Sequence, residues 1–280
     1  MKFSQRLALS YIRAKFTLWA TISKKKAAER AFELFCTPQK RNKKALPAVF
    51  KEAEELAFSL DGTRIRGWRW NKGGDRKFLI LHGFESSVVN FDRYIKPAIR
   101  KGMEVLAFDA PAHGRSGGKT ITIPLYSKLI KKINKDLGPV DSYMSHSFGG
   151  LALCVALEDI NHDEKNRIVL IAPATETTTA IDGFFSFLKL DPSLRPAFDK
   201  VIIKKGGVSP AWYSVPRAMK HIKAKVLWVH DEDDEITPLK DVKPVIEQHK
   251  SNIEFLITKG LGHRRIYNDN NVRKRIGEFI

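Results

Sequence analysis

The sequence predicts an α/β protein whose mostly parallel, doubly wound sheet carries helices on both faces. Short, nearly continuous apolar runs recur from residue 77 onwards, and helix-length segments separate most of them. The apolar runs are KFLILHG (77–83), MEVLAFDA (103–110), VDSYMSH (140–146), RIVLIAP (167–173), AKVLWVHD (224–231) and IEFLIT (253–258). The segments expected to be helical are 90–101, 122–137, 148–160, 239–249 and 267–280. Strands that are apolar on both sides must be covered on both sides, which is typical of parallel sheets.

Two earlier runs, EELAFSL and RIRGWRW, predict an antiparallel pair of strands joined by a turn at Asp61 and Gly62. The second run places aromatic residues between cations, a pattern that also occurs where proteins stack nucleic-acid bases. Its alternation favours a strand with Ile65, Gly67 and Arg69 on one face. Because the sequence shows no zinc-ligand spacing and no nucleic-acid-binding motif, we expect no nucleic-acid partner.

Length and composition indicate a globular protein. The 280 residues are 43% hydrophobic, enough for one large core or two modest ones. No apolar run approaches the roughly 18 residues of a membrane-spanning helix, and Arg6, Arg13 and Lys15 interrupt the region that a signal peptide keeps apolar. Two cysteines, Cys36 and Cys154, cannot build a disulfide framework. We therefore expect a cytoplasmic protein.

The basic charge is concentrated at the N-terminus. Residues 1–51 contain thirteen Lys or Arg against Glu29 and Glu33, whereas the whole chain has a net charge of +18. A helix between Ser23 and Pro38 is expected after a first, amphipathic helix over 3–22. The apolar side of the first helix holds Phe3, Leu7, Tyr11, Ala14, Leu18 and Ile22, with Lys15 interrupting it, and the opposite side holds Lys2, Arg6, Arg13 and Thr17. Such a segment either lies on an anionic membrane surface or packs on its own domain with its charges in water.

Polar motifs follow the predicted strands, and ligands of parallel sheets bind beyond the carboxyl ends of the strands. The motifs are LHGFESS, FDAPAHGRSGG, SHSFGG, HDEDDEITP and KGLGHRR. Together they resemble the α/β-hydrolase superfamily over residues 52–280, in which a serine, an acid and a histidine follow one another along the chain in that order. The resemblance implies a serine hydrolase that needs no cofactor.

Ser147 is the candidate nucleophile. A serine hydroxyl must stand clear of the backbone to meet both a base and a substrate, and a sharp turn from strand to helix achieves this. The superfamily shows a small-x-Ser-x-small motif at that turn, usually with glycine at both small positions. Here Ser145 replaces the first glycine and Gly149 is the second. The alternative is a serine that only caps the N-terminus of a helix.

The resemblance also implies an oxyanion hole formed by two backbone N–H groups. They belong to Phe148, directly after the nucleophile, and to Phe84 in the HGF motif. Removal of one such donor typically costs about 3 kcal/mol of barrier. The N-terminus of the helix that begins near Phe148 adds a partial positive charge.

His263 is the candidate general base, because imidazole has an ordinary pKa near 6.5 and moves protons readily at neutral pH. The acid comes from HDEDDEITP, which offers five carboxylates. In the superfamily the motif commonly reads His-Gly-x-x-Asp-x-x-x-Pro, and its spacing selects Asp234, with Asp233 as the alternative. Asp231 occupies the usual glycine position.

The remaining histidines of these motifs are expected to have structural roles. His82 and His113 would brace loops, His146 would pack within the elbow, and His230 would end a strand as part of the scaffold. Because they lack a recognisable ligand spacing, we expect no metal site.

The expected domains are a basic, mainly helical segment (1–51), a hydrolase core (52–173 and 225–280) and an inserted helical cap (174–224) rich in aromatic residues and proline. An apolar cap suits an acyl or aryl group, so the expected substrate is a small-molecule ester or thioester. Three functions stay open: a carboxylic-ester hydrolase, an acyltransferase or carbon-carbon hydrolase with the same triad, and a non-catalytic binding protein on this fold.

Overall fold

A computed structural model describes the backbone of residues 3–42 and 44–280 and the side chains of residues 9–42 and 44–280. The chain divides into two compact units, each assembled from two segments. One unit contains the sheet and comprises Pro38–Thr175 and Ser214–Ile280, and the other comprises Met1–Thr37 and Glu176–Tyr213.

The helices, numbered along the chain, are α1 Phe3–Ile22, α2 Lys24–Phe35, α3 Ile95–Arg100, α4 Ile123–Leu137, α5 Phe148–Leu157, α6 Thr177–Leu188, α7 Arg195–Gly206, α8 Val215–Ala218, α9 Lys243–Ile246, α10 Gly262–Arg265 and α11 Asn270–Phe279. The strands are β1 Glu54–Leu60, β2 Thr63–Trp70, β3 Arg76–Leu81, β4 Met103–Asp109, β5 Ser142–His146, β6 Arg167–Ile171, β7 Lys225–Asp231 and β8 Ile253–Thr258. Each apolar run of the sequence has become a strand, and the hairpin of β1 and β2 turns at Asp61 and Gly62.

The strands form one eight-stranded sheet in the order β1-β2-β4-β3-β5-β6-β7-β8. The pairs from β4 to β8 are parallel, and β2 is antiparallel to both of its neighbours. After β3 the chain goes to one side to form β4 and then to the other side to form β5. The carboxyl ends of β3 and β5 therefore flank the point where the strand order reverses, which is where ligands bind in open α/β sheets.

The apolar pattern of the strands is satisfied by burial on both faces of the sheet. Every residue of β4 and β5 is buried, as are all but the first residue of β7. Trp70 and Trp228 are among the largest fully buried side chains. Each large apolar side chain contributes on the order of 1.5–3 kcal/mol when it leaves water. The fold class predicted from the sequence is thus confirmed.

One predicted helix is wrong. The segment 239–249 contains only a 3₁₀ turn, Leu239–Asp241, followed by the single turn of α9. Pro244 is the physical reason: it has no N–H to donate to a carbonyl four residues earlier, so an uninterrupted helix cannot run through it. The predicted helix over 90–101 is also divided, into a 3₁₀ segment Val88–Tyr94 and α3.

The second unit is helical. Ser23 caps α2 by accepting a hydrogen bond from the N–H of Lys26, and Ala27, Ala28 and Ala31 of α2 are buried. Aromatic rings join α2 to α6 and α7: Phe35 lies 5.1 Å from Phe184 and 5.9 Å from Phe198 between ring centroids.

These contacts group the chain differently from the segments inferred from sequence. The first two helices associate with residues 176–213, whereas residues 38–51 and 214–224 belong to the unit that contains the sheet. Phe50 shows why, since its ring centroid lies 5.2 Å from that of Trp68 and 5.0 Å from that of Trp70. Within the residues described, no helix combines the length and the apolar character that crossing a membrane requires.

Candidate active site

Ser147 lies at a sharp turn between β5 and α5. Its backbone has φ 52° and ψ −122°, a conformation that is strained for a residue with a side chain. The turn is held by the N–H of Ser147, which donates to the carbonyl of Ile171, and by the N–H of Ala174, which donates to the carbonyl of Ser147. Ser147 therefore stands on a rigid backbone at the switch point of the sheet.

Two glycines allow the neighbouring segments to approach this turn. A Cβ on Gly149 would lie 2.5 Å from the carbonyl oxygen of His82, so α5 packs against the end of β3 only if this residue has no side chain. A Cβ on Gly83 would lie 3.0 Å from the Cβ of Ser147. The chain that leaves β3 thus runs directly beside the serine.

The N–H groups expected to form the oxyanion hole belong to these adjacent segments. Phe148 is the first residue of α5, so its N–H has no partner within the helix, and the helix N-terminus favours negative charge there. Phe84 follows Gly83, and its ring packs edge-on against that of Phe148 at a centroid distance of 5.9 Å. Both half-buried rings therefore lie next to the serine turn.

Two buried histidines brace the loop that carries Phe84. His82 accepts a hydrogen bond at Nε2 from the N–H of Ala110 and donates from Nδ1 to the carbonyl of Gly83. His113 accepts at Nε2 from the N–H of Glu85. Burial lowers the pKa of His82 to about 4 and that of His113 to about 3. Both rings are therefore neutral at physiological pH, as their acceptor nitrogens require.

His263 lies between Ser147 and Asp234. Its Nε2 is 2.9 Å from Oγ of Ser147, and its Nδ1 is 2.8 Å from Oδ2 of Asp234. Since a carboxylate can only accept, Nδ1 carries the proton and Nε2 presents its lone pair to the serine hydroxyl. The sequence separation of these residues is 116 and 29 positions, so only the folded sheet brings them together.

Asp234 is held as a carboxylate. Its side chain is fully buried. Burial by itself would raise the pKa, but hydrogen bonds and charge from His263, with further hydrogen bonds from Thr237, lower it below the ordinary value. Asp233, the alternative acid, is exposed, and its Oδ2 accepts from the N–H of Gly260 instead of approaching the imidazole.

Thr237 is a member of the site that sequence reasoning missed. Its hydroxyl lies 2.8 Å from Oδ2 of Asp234 and 3.1 Å from Nδ1 of His263, and its N–H donates to Oδ1 of Asp234. Thr237 therefore orients the carboxylate toward the imidazole. Its position three residues after Asp234 and just before Pro238 is the available signal, but a threonine there is equally typical of a turn.

His146 has more contact with the site than the packing role expected from sequence. Its ring centroid lies 4.7 Å from that of His263, and its Nε2 donates to the backbone carbonyl of His263 at 3.0 Å. Burial, with the proximity of His263, lowers the pKa of His146 to about 3. The neutral ring of His146 therefore packs against the imidazole of His263.

The described residues contain no group of three His, Cys, Asp or Glu side chains arranged to hold a metal ion. The arrangement can move a proton from the hydroxyl of Ser147 to Nε2 of His263, while Asp234 stabilises the imidazolium that forms. It would then accept a negative oxygen beside the N–H groups of Phe84 and Phe148.

Comparison with known proteins finds similarity both in sequence and in fold. A family model described as serine aminopeptidase, S33, matches residues 74–206. The chain is 23% identical over 256 residues to the uncharacterized protein YqkD of Bacillus subtilis, covering 82% of this chain and 81% of that protein.

The fold is shared with solved structures of several other proteins. The esterase Pf2001 of Pyrococcus furiosus superposes with a TM-score of 0.65 at 22% identity, covering 87% of this chain and 96% of the esterase. Est1E of Butyrivibrio proteoclasticus, solved with ferulic acid bound, superposes with a TM-score of 0.62 at 20% identity, covering 80% and 97%. The resemblance predicted from the sequence motifs is confirmed: this chain has the α/β-hydrolase fold.

Proposed function

We propose that this α/β-hydrolase is a serine hydrolase that cleaves carboxylic esters or thioesters through an acyl-enzyme on Ser147. One observation carries the proposal. Oγ of Ser147, the imidazole of His263 and the carboxylate of Asp234 form a continuous hydrogen-bonded series with separations of 2.9 Å and 2.8 Å. A serine that merely capped α5 would need neither partner.

Acylation follows from this geometry. Oγ of Ser147 attacks the acyl carbon as Nε2 of His263 takes its proton, and the carbonyl oxygen becomes an oxyanion stabilised by the N–H groups of Phe148 and Phe84. Collapse of the intermediate expels the alcohol or thiol, which takes the proton from His263. Asp234 keeps the imidazole in the required tautomer throughout.

Deacylation repeats the same steps with water. His263 takes a proton from a water molecule that attacks the acyl carbon, and it then returns the proton to Oγ of Ser147 as the acid leaves. The strained backbone of Ser147 keeps Oγ in one position for both half-reactions, because the turn cannot relax without breaking its bonds to Ile171 and Ala174.

Covalent labelling is the direct test. A fluorophosphonate probe should modify Ser147 in the full-length protein, and p-nitrophenyl esters of short and medium acyl chains should be hydrolysed. Ser147→Ala should abolish both. The matched control is Ser145→Ala, because Ser145 is a buried serine two residues away whose hydroxyl donates to the backbone carbonyl of Val169 at 3.3 Å. Labelling that persists in Ser147→Ala would contradict the proposal.

Further substrates distinguish ester hydrolysis from related reactions. Aminoacyl p-nitroanilides test peptide-bond cleavage, because the match to the serine aminopeptidase model makes this reaction worth testing. Product analysis with added alcohols or amines distinguishes an acyltransferase from a hydrolase, and aryl diketones test carbon-carbon cleavage. A protein that binds esters without labelling or turnover would be a binding protein on this fold.

We further propose that α1 brings the protein into peripheral contact with an anionic membrane. Three large apolar side chains, Tyr11, Leu18 and Ile22, are 63%, 59% and 71% exposed, and they lie on one face of α1 at the spacing predicted from the sequence. The side chains of Lys2, Phe3, Arg6 and Leu7, which belong to the same expected pattern, lie outside the described residues. An apolar stripe open to solvent fits the acyl boundary of a bilayer.

Cations accompany the exposed stripe. Lys15 lies within it, with its Nζ 5.1 Å from the ring centroid of Tyr11, and Lys24, Lys25 and Lys26 are exposed at the start of α2. Each basic residue near an anionic surface contributes about 1 kcal/mol at low salt. Binding should therefore need anionic lipid and weaken as salt is added.

Vesicle co-sedimentation tests this contact with the full chain. We expect pelleting with phosphatidylglycerol-containing vesicles and little with phosphatidylcholine alone. The double variant Leu18→Glu, Ile22→Glu should lose it, whereas Ile203→Glu, at an apolar residue of α7 that is 45% exposed, should not. Equal pelleting of the wild type and the double variant would remove the proposal.

A further inference from the structure

Asp231 is a buried carboxylate that the proposed reaction does not use. It is the last residue of β7, it is fully inaccessible to solvent, and it stands where the hydrolase motif usually has glycine. An ionised side chain in such a position is costly unless every oxygen is hydrogen-bonded. Its contacts therefore indicate what it does.

The two carboxylate oxygens of Asp231 together accept four hydrogen bonds. Oδ1 accepts from the N–H groups of Gly262 at 2.9 Å and Asp233 at 3.0 Å. Oδ2 accepts from the hydroxyl of Thr258 at 2.7 Å and from the N–H of Leu261 at 3.0 Å. Burial alone would raise the pKa of Asp231, but these hydrogen bonds lower it, so the group stays ionised.

These bonds join the two loops that supply the acid and the base. Asp231 pairs with Thr258 in the register of β7 and β8, so both loops start from one point of the sheet. Three residues beyond Asp231 the first loop presents Asp234. The second loop turns through Gly260 and Gly262, both with positive φ, and then presents His263.

We propose that Asp231 is a positioning residue that clamps the backbone of Leu261 and Gly262, and thereby sets the distance between His263 and Asp234. The inference rests on the proposed function of these two residues. Gly262 is adjacent to His263 in the chain, so a shift of its N–H moves the imidazole directly. Misplacement of a reacting group by about 1 Å can cost about a hundredfold in rate.

Asp231→Asn tests the clamp with almost no change in side-chain volume. An amide has one oxygen, so at most two of the four donors find an acceptor and the others face an N–H₂ group. We expect kcat for the best p-nitrophenyl ester to fall about 10- to 100-fold with KM changed less than twofold, since the Asp231 side chain is inaccessible from the surface where a substrate would bind.

Amide hydrogen exchange supplies a readout that is independent of catalysis. The N–H groups of Leu261 and Gly262 should exchange slowly in the wild type and at least tenfold faster in Asp231→Asn. Glu232→Gln is the matched control, because it removes one negative charge from the next residue, which is exposed and pairs only with exposed Lys259 at 3.4 Å. It should change neither kcat nor exchange.

The results that would overturn the clamp differ from those that would overturn the proposed function. Unchanged kcat, unchanged exchange, or an equal loss in Glu232→Gln would each overturn the clamp. If Asp231→Asn does not fold, Thr258→Val replaces it as the test, because this substitution removes one of the four hydrogen bonds to Asp231. It should accelerate amide exchange at Leu261 and lower kcat several-fold. If it changed neither quantity, the clamp would be overturned. If the amides of Leu261 and Gly262 exchange slowly in the wild type but the protein hydrolyses no ester, the proposed function would be refuted and the clamp would stand.

Discussion

Asp234→Asn is the substitution whose consequence the structure determines in most detail. The two N–H groups of Ile236 and Thr237 both donate to Oδ1 of Asp234 at 2.9 Å. In the variant these donors hold the amide oxygen at that position, so the NH₂ group takes the place of Oδ2 and faces Nδ1 of His263. The imidazole must then carry its proton on Nε2, which can no longer accept the proton of Ser147.

The expected loss follows from that change of tautomer. Replacement of the triad acid by its amide typically lowers kcat about 10⁴-fold, equivalent to about 5 kcal/mol of barrier. We expect a loss of that order in p-nitrophenyl ester hydrolysis and a parallel fall in the rate of fluorophosphonate labelling. The melting temperature should change by only a few degrees, because the amide keeps the volume and the Oδ1 bonds.

Asp233→Asn is the matched control, since it makes the same chemical change at the adjacent, exposed carboxylate. It should retain activity to within about tenfold. Activity of Asp234→Asn within tenfold of the wild type would refute the reasoning. So would an equal loss in both variants, because the acid would then not be identified by its contact with His263.

Gly149→Ala should destabilise the protein by about 2 kcal/mol or more in urea unfolding, because the new methyl group would lie 2.5 Å from the carbonyl of His82. Gly183→Ala, in open space within α6, should stabilise it by about 0.5–1 kcal/mol, and the opposite order would contradict the packing described. Stability should also fall as pH decreases from 6.5, because the unfolded chain then binds a proton at His113 that the folded protein, with a pKa of about 3, does not. Between pH 6 and 5 this histidine contributes about 1 kcal/mol of that loss, so urea unfolding of His113→Gln should show a flatter pH dependence than the wild type.

Local sequence patterns were enough to predict the strands of the sheet. Runs such as MEVLAFDA and RIVLIAP are apolar at successive positions, and only a strand buried on both faces uses all of them. The segment 239–249 had the length of a helix, but Pro244 breaks the hydrogen bonding and the structure shows isolated turns. Length describes a whole segment, whereas one missing N–H acts at a single position.

The residues of the site were recognisable to different degrees. Ser147 and His263 belong to motifs that can be recognised from the spacing of residues along the sequence, and so do the glycines beside them. Thr237 and Asp231 were not identified, because a threonine in a turn and an acid in an acidic run have many ordinary explanations. Their roles depend on which backbone N–H groups and side chains the fold brings to them.

The amino-acid sequence alone determined the order of strands and helices, the turn that exposes Ser147, and the chemical types available for proton transfer, because these depend on residues close together in the chain. The tertiary structure alone decided that Asp234 and not Asp233 meets His263, that Asp231 accepts a hydrogen bond from the N–H of Gly262 in the neighbouring loop, and that the two N-terminal helices associate with residues 176–213. Adjacent carboxylates are equivalent in composition and differ only in the direction in which the folded backbone points them. That direction is set by hydrogen bonds between segments distant in sequence, which no local pattern encodes.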